Sequence, residues 1–264
     1  NLSNYSWFGL GGNAEFFFKP NNKNHLIEFL AEAKKNNIKT TILGAGSNIL
    51  FRDNGVKGVV IKLGSNFSYI KLLNKEIIDV GSATLDRKVA NFAKDNNLTN
   101  FEFLSCIPGS IGGAIVMNSG CYNADISKVL MSIKVIDKNN LIQKEIKKDD
   151  IKFLYRGTNL NEDLIIISAK FKGLLSKKDV IEKKQSRLVE RKKLSQPSQI
   201  KTCGSTFKNV DKNKKAWKLI KEAGCIDFRE GDAEISKKHC NFFVNNGKAK
   251  SSDIEKLIKK VKKE

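Results

Sequence analysis

The chain has 264 residues, 40% of them hydrophobic, and a formal net charge of +20. That length allows one large domain or two to three small ones with a sizeable core, and the apolar content argues against general disorder. No apolar run reaches the roughly 18 residues that cross a membrane as a helix, and two histidines, His25 and His239, all but exclude a multi-histidine metal site, so no metal is expected.

The opening stretch NLSNYSWFGL lacks a basic region followed by an apolar core, so no secretory signal is expected; it also lacks an initiator Met, so the gene is expected to start upstream. Residues 16–63 read as a β-α-β unit. FFF at 16–18 is a short strand, Leu26, Phe29, Leu30 and Ala33 mark an amphipathic helix over 24–35, and strands follow at 40–43 and 58–63. A strand at 77–80 stops at Gly81, and a helix carrying Leu85, Val89, Phe92 and Ala93 follows with Thr84 as N-cap. Residues 131–137 and 164–171 alternate as antiparallel strands. The densest basic run, 176–193, has acids mixed into it and reads as a solvated helix face, not a nucleic-acid-binding one; a small polyanionic ligand also suits a basic protein. Pro197 marks the preferred boundary of a C-terminal part. There, 215–224 is a helix closed by Gly224, 241–245 a strand, and Ser252 to Glu255 a capping box opening a last helix with the stripe Ile254, Leu257, Ile258 and Val261. That stripe is still running at Glu264, so a further C-terminal segment is expected. Five scattered cysteines without a CxxC pair read as reduced thiols of a cytoplasmic protein.

Three loops carry candidate chemistry. In LGAGSNILFRDNG (43–55) a strand ends and Gly44 and Gly46 bracket a tight turn, the kind of backbone that binds phosphate. The dinucleotide fingerprint needs a small residue where Ile49 stands, and no Walker lysine follows, so by itself this is equally a plain turn. In LSCIPGSIGG (104–113) one of only three prolines, Pro108, sits beside Gly109, Gly112 and Gly113: either a tight corner between packed elements or a backbone that something approaches closely. The third is CGSTFKN (203–209), with YRGTN (155–159) before it; Ser205, Lys208, Asn209, Tyr155 and Arg156 are all able to hold an oxyanion, and each is alternatively a surface turn. A nucleophilic Ser205 would need a base, for which only His239 is a candidate.

In order along the chain, LGAGSNILFRDNGVKGVVI, FEFLSCIPGSIGGAIVMNSGCY, YRGT, GSTFKN and ISKKHCNFFVN together resemble the UDP-N-acetylenolpyruvoylglucosamine reductase family. The resemblance covers nearly the whole chain. It implies an α+β fold: a two-part FAD-binding region of the vanillyl-alcohol-oxidase type over 1–64 and 65–195, then an α/β substrate-binding domain over 196–264. It implies that Leu43, Gly44, Ala45, Gly46, Ser47 and Asn48 on one side, and Ile107, Pro108, Gly109, Ser110, Gly112 and Gly113 on the other, wrap the FAD diphosphate. NADPH then reduces the flavin, which passes hydride to C3 of the enolpyruvyl group of UDP-N-acetylglucosamine-enolpyruvate in the second committed step of peptidoglycan synthesis. Arg156 is implied to stabilise the enolate-like charge, Ser205 to protonate C2, and Tyr155, Lys208 and Asn209 to bind substrate.

This chain departs from the family pattern at Cys106, Ser119, Asn123, Thr158 and Val210 without losing a named catalytic group. The family's catalytic Glu is expected in a segment beyond Glu264, and the short connection from Asn209 to Trp217 suggests the family's shorter form. A monomer is expected, with no nucleic-acid or membrane partner. The competing readings are another flavoprotein of the same superfamily and a basic binding protein.

Overall fold

The computed structural model describes residues 1–211 and 213–264. Two compact units emerge: a larger one of Phe17–Ala45 with Gly58–Glu190, and a smaller one of Asn1–Phe16, Gly46–Lys57 and Arg191–Glu264.

The larger unit is built on a five-stranded antiparallel sheet in the order Gln143–Lys147, Leu130–Asp137, Leu164–Lys172, Ile77–Gly81, Ile70–Leu72. The long strands pair as their alternation predicts, with Ile133 opposite Ala169 and Ile136 opposite Ile165. Both faces of this sheet are covered. Ile78, Val80, Ile133, Val135 and Phe171 join one core cluster, while Ile136, Ile165 and Ile167 join another with Leu26, Leu30, Val59 and Ile61. Double coverage explains why LIII (164–167) is a continuous apolar run.

Helix α1, Lys23–Lys35, forms where its apolar spacing predicts and buries Leu26, Leu30 and Ala33; the Asn22 side chain caps it by accepting from the His25 N–H at 2.9 Å. Beside it, Thr40–Ile42 runs parallel to Val59–Ile61. The strand read at 58–63 starts earlier and ends at Ile61. Helix α2, Asp86–Asp95, is not capped by Thr84. The Thr84 hydroxyl donates to the Tyr69 carbonyl at 3.0 Å, and Leu85 stands at the N-cap position without a side-chain bond. The reason is tertiary: the Ile111 N–H takes the Thr84 carbonyl (2.9 Å), the Asp86 N–H donates to the Gly109 carbonyl (3.1 Å), and Leu85 bridges Ser110, so residues 84–86 serve as a short edge against the second glycine loop. Helix α3, Ile111–Val116, opens directly out of that loop. Helix α4, Lys178–Ser195, holds the basic run; it is largely exposed and buries only Ile181.

The smaller unit carries a three-stranded antiparallel sheet of Arg229–Glu230, Ala233–Ile235 and Phe243–Asn245, with helices α5, Ala216–Glu222, and α6, Ser251–Lys263. Gly224 takes φ +68° just after α5, as a C-terminal glycine should. Helix α6 buries Ile254, Leu257 and Val261 as its stripe predicts, but its start differs from the expected box. Asp253, not Glu255, reaches back to the Lys250 N–H (2.8 Å), and Asp53 accepts from the N–H groups of Ser251 (2.8 Å) and Ser252 (3.0 Å). Glu255 instead pairs with Arg52 at 2.7 Å. Among the described residues no cysteine is in a disulfide. Among the described residues no helix is long and apolar enough to cross a membrane.

Candidate active site

In the larger unit the two glycine loops meet. A Cβ on Gly44 would stand 2.9 Å from the Ser110 hydroxyl oxygen, so a side chain there would collide with the second loop. The carbonyl of Gly44 accepts from the Lys62 ammonium at 2.5 Å. In the smaller unit the same loop continues: Gly46 has φ +71° with its Cα against the Tyr5 carbonyl, and its own carbonyl accepts from the Trp7 N–H at 3.0 Å. The Cys203 thiol donates to the Ile49 carbonyl at 3.3 Å, which brings Gly46–Ile49 beside the GSTFKN segment. Burial pushes that thiol's pKa up, as suits a packing group and not a nucleophile. The carbonyls of Gly44, Gly46 and Ile49 are thus engaged. Among the described residues none of the N–H groups of residues 44–48 donates a hydrogen bond to the protein.

The second loop divides its glycines between two uses. Gly112 is bare because Ser82 lies against it, with a Cβ there meeting the Ser82 Cβ at 3.2 Å, and its N–H is spent on the Ser82 carbonyl at 2.8 Å. That is the tight-corner reading. Gly113 has nothing closer to its Cβ position than the Ser110 hydroxyl at 3.9 Å. Ser110 is the non-hydrogen-bonded partner of the Leu85 bridge, so its N–H points away from residues 84–86. The hydroxyls of Ser82, Ser105 and Ser110 are buried without a protein partner.

Past α3 the chain reaches the YRGT segment. Phe153–Leu154 and Gly157–Thr158 pair as a hairpin whose two turn residues are Tyr155 and Arg156. Arg156 takes φ +59°, a conformation that ordinarily selects Gly or Asn. Three contacts hold it there: its guanidinium donates to the Gly120 carbonyl (2.7 Å), the Thr158 hydroxyl to the Val116 carbonyl (3.2 Å), and the Asn118 amide to the Leu154 carbonyl (3.2 Å). The guanidinium also lies over the Tyr155 ring, 5.2 Å from its centre. The segment that begins at the second glycine loop therefore also fixes the Arg156 turn.

In the smaller unit Ser205 is exposed and follows Gly204, whose φ of +83° turns the chain before a backbone bridge to Phe242. Asn241 clamps this loop: its side chain accepts from the Phe207 N–H and donates to the Phe207 carbonyl, both at 2.9 Å, while its carbonyl accepts from the Thr206 N–H at 2.8 Å. Lys208 is exposed. The Asn209 side-chain Oδ1 accepts from the Ala216 N–H at 3.0 Å and so helps to start α5. Among the described residues no hydrogen bond links His239 to Ser205: the His239 Nδ1 accepts from the Asn241 N–H at 3.3 Å, its ring packs 4.8 Å from Phe242, and burial pushes its pKa down. Sequence reasoning missed Lys62, Asn118 and Asn241, because their partners are backbone atoms far away in the chain.

Comparison with known proteins now decides between the readings. Residues 196–264 match the C-terminal domain of UDP-N-acetylenolpyruvoylglucosamine reductase, and residues 14–144 match an FAD-binding domain. The UDP-N-acetylenolpyruvoylglucosamine reductase of Pelagibacter ubique is 48% identical over 99% of this chain and 86% of its own length; that of Wolbachia pipientis is 40% identical over 99% and 87%. The crystal structure of UDP-N-acetylenolpyruvylglucosamine reductase from Thermus caldophilus superposes with a TM-score of 0.90 at 30% identity, covering all of this chain and 93% of that one. The chain belongs to the UDP-N-acetylenolpyruvoylglucosamine reductase family. As a member it is an FAD-dependent oxidoreductase with NADPH as reductant, acting in peptidoglycan precursor synthesis, and its fold is the family's FAD-binding region followed by the family's C-terminal domain. Its substrate is the UDP-N-acetylglucosamine enolpyruvyl ether, which it reduces to UDP-N-acetylmuramate. FAD fits what is present in the larger unit: the unspent N–H groups of Gly44 and Ala45 and the partnerless buried hydroxyl of Ser110, which Gly44 faces, are the kind of donors a diphosphate takes.

Proposed function

We propose that this chain performs the reductase reaction with Gly44 to Asn48 and Ile107 to Gly113 holding the FAD diphosphate, Arg156 stabilising charge on the substrate carboxylate, and Ser205 delivering the proton to C2. Tyr155, Lys208 and Asn209 bind substrate in this reading. The observation that carries it is the meeting of Gly44 with Ser110, which makes two sequence-distant loops into one bare, donor-bearing surface. FAD supplies the hydride when bound. The Arg156 turn is anchored at three points, so its guanidinium meets developing negative charge without reorganising. Ser205 is a weak acid and is useful only against a strongly basic carbanion, which the hydride-accepting enolpyruvyl group becomes. In the same reading 1–64 and 65–195 form the FAD-binding region and 196–264 the substrate domain. The chain acts as a monomer in the cytoplasm, a compartment that suits cysteines outside any disulfide.

The test separates two half-reactions. Ser205→Ala should still be bleached by NADPH under anaerobic conditions, because that step needs no proton on C2. Substrate-driven recovery of the flavin colour should slow by roughly a hundred- to ten-thousand-fold, the range of general acid catalysis. Recovery at the wild-type rate would remove Ser205 from the reaction.

A further inference from the structure

Lys62 has no place in the chemistry above, yet a half-buried lysine calls for an explanation. It follows the strand Val56–Ile61, and its backbone N–H donates to the Phe18 carbonyl at 2.9 Å. Next to it the Leu43 N–H donates to the Ile61 carbonyl at 2.8 Å, so the two segments run side by side up to Gly44. The lysine side chain turns onto the Gly44 carbonyl at 2.5 Å. Burial, and after it the charge of Lys19, holds its pKa below the ordinary lysine range.

The peptide geometry shows what the contact does. A trans peptide points its C=O and N–H in opposite directions. With the Gly44 carbonyl fixed on Lys62, the Ala45 N–H is turned to the opposite side. Gly44 itself has no side chain and faces the Ser110 hydroxyl, which has no protein partner.

We propose that Lys62 is a positioning residue for the FAD diphosphate: its ammonium pins the Gly44–Ala45 peptide so that the Ala45 N–H faces the diphosphate, and it places positive charge behind that peptide. This rests on the reading of residues 43–48 as the diphosphate loop.

The experiment titrates the flavin-free chain with FAD and with riboflavin, which carries the ring but no phosphate, following flavin fluorescence. Lys62→Met should weaken FAD binding roughly ten- to hundred-fold, the loss expected for a charge-assisted hydrogen bond, and change riboflavin binding less than about twofold. Lys62→Arg, which keeps charge and donor, should recover most of the FAD affinity. Unchanged FAD affinity in Lys62→Met overturns the proposal. So does an equal loss for FAD and riboflavin, because that is the signature of a general structural role. If the wild-type chain binds riboflavin as tightly as FAD, the diphosphate-loop reading itself has failed, and the role of Lys62 falls with it. If Lys62→Met does not melt cooperatively, Lys62→Gln takes its place under the same criteria.

Discussion

Asp86 is the residue whose chemistry fits its surroundings least. It is fully buried on the apolar face that α2 shares with Val89, Ala90 and Ala93, and both carboxyl oxygens lack a protein partner. Burial pushes its pKa from 3.8 to about 8. The folded state thus keeps a proton that the unfolded chain sheds near pH 3.8. The associated stability is intact below that pH and drains away as pH rises toward about 8. Holding the group protonated at pH 7 costs on the order of 4 kcal/mol. Denaturant unfolding of the wild-type chain should therefore show stability falling between pH 5 and pH 8, and Asp86→Asn should flatten that slope. An unchanged slope in the variant would show that Asp86 ionises freely in the fold. At this scale the sequence reveals residue types but not their burdens: nothing in SATLDRK marks Asp86 as buried, or Arg156 as held at positive φ. Asn123, by contrast, is a residue type that tolerates the φ of +65° it adopts.

Elements formed where periodicity was strong, and their ends moved where a distant chain segment supplied the cap. Helices α1 and α6 follow their stripes, because burying side chains such as Leu26, Leu30, Ile254 and Leu257 contributes about 1.5–3 kcal/mol each. The expected capping box at Ser252 lost to Asp53, which lies 198 residues before Ser251 and accepts from two N–H groups of the first turn of α6. Burial raises the pKa of Asp53, but the hydrogen bonds from Ser252 and Ser251 outweigh it, and the net shift is downward. This contribution is present above the ordinary carboxylate range and is lost as pH falls through the lowered value. Asp53→Ala should lower stability by about 1–2 kcal/mol at pH 7, the cost of a lost N-cap. Repeating the measurement near pH 2 should show that difference shrink, and a constant difference would mean that the cap acts by packing alone. Thr84 lost its capping role in the same way, drawn into an edge against the second glycine loop. The loops carrying the candidate site were legible as motifs, but their clamps were not. Asn241 and Phe207 are 34 residues apart, and no local pattern links them.

For the whole molecule, FAD binding and folding are linked. A cofactor that binds only the folded chain stabilises it by mass action, so FAD at a thousand times its dissociation constant should raise the unfolding free energy by about 4 kcal/mol. Thermal melts with and without added FAD check this; no rise in the transition would mean that the chain does not bind FAD in its folded state. The order of the five motifs determined the family, and apolar periodicity determined the main helices and the antiparallel pairing of the two long strands. Those are local or strictly ordered signals. Only the tertiary structure decided that Gly112 is bare for Ser82 whereas Gly44 is bare before Ser110, that Lys62 grips the first loop, that Asp86 is sealed from water, and that Asp53 starts α6. Each of these depends on which backbone group or solvent boundary lies across space from a residue. Sequence spacing does not encode that distance until the chain has folded.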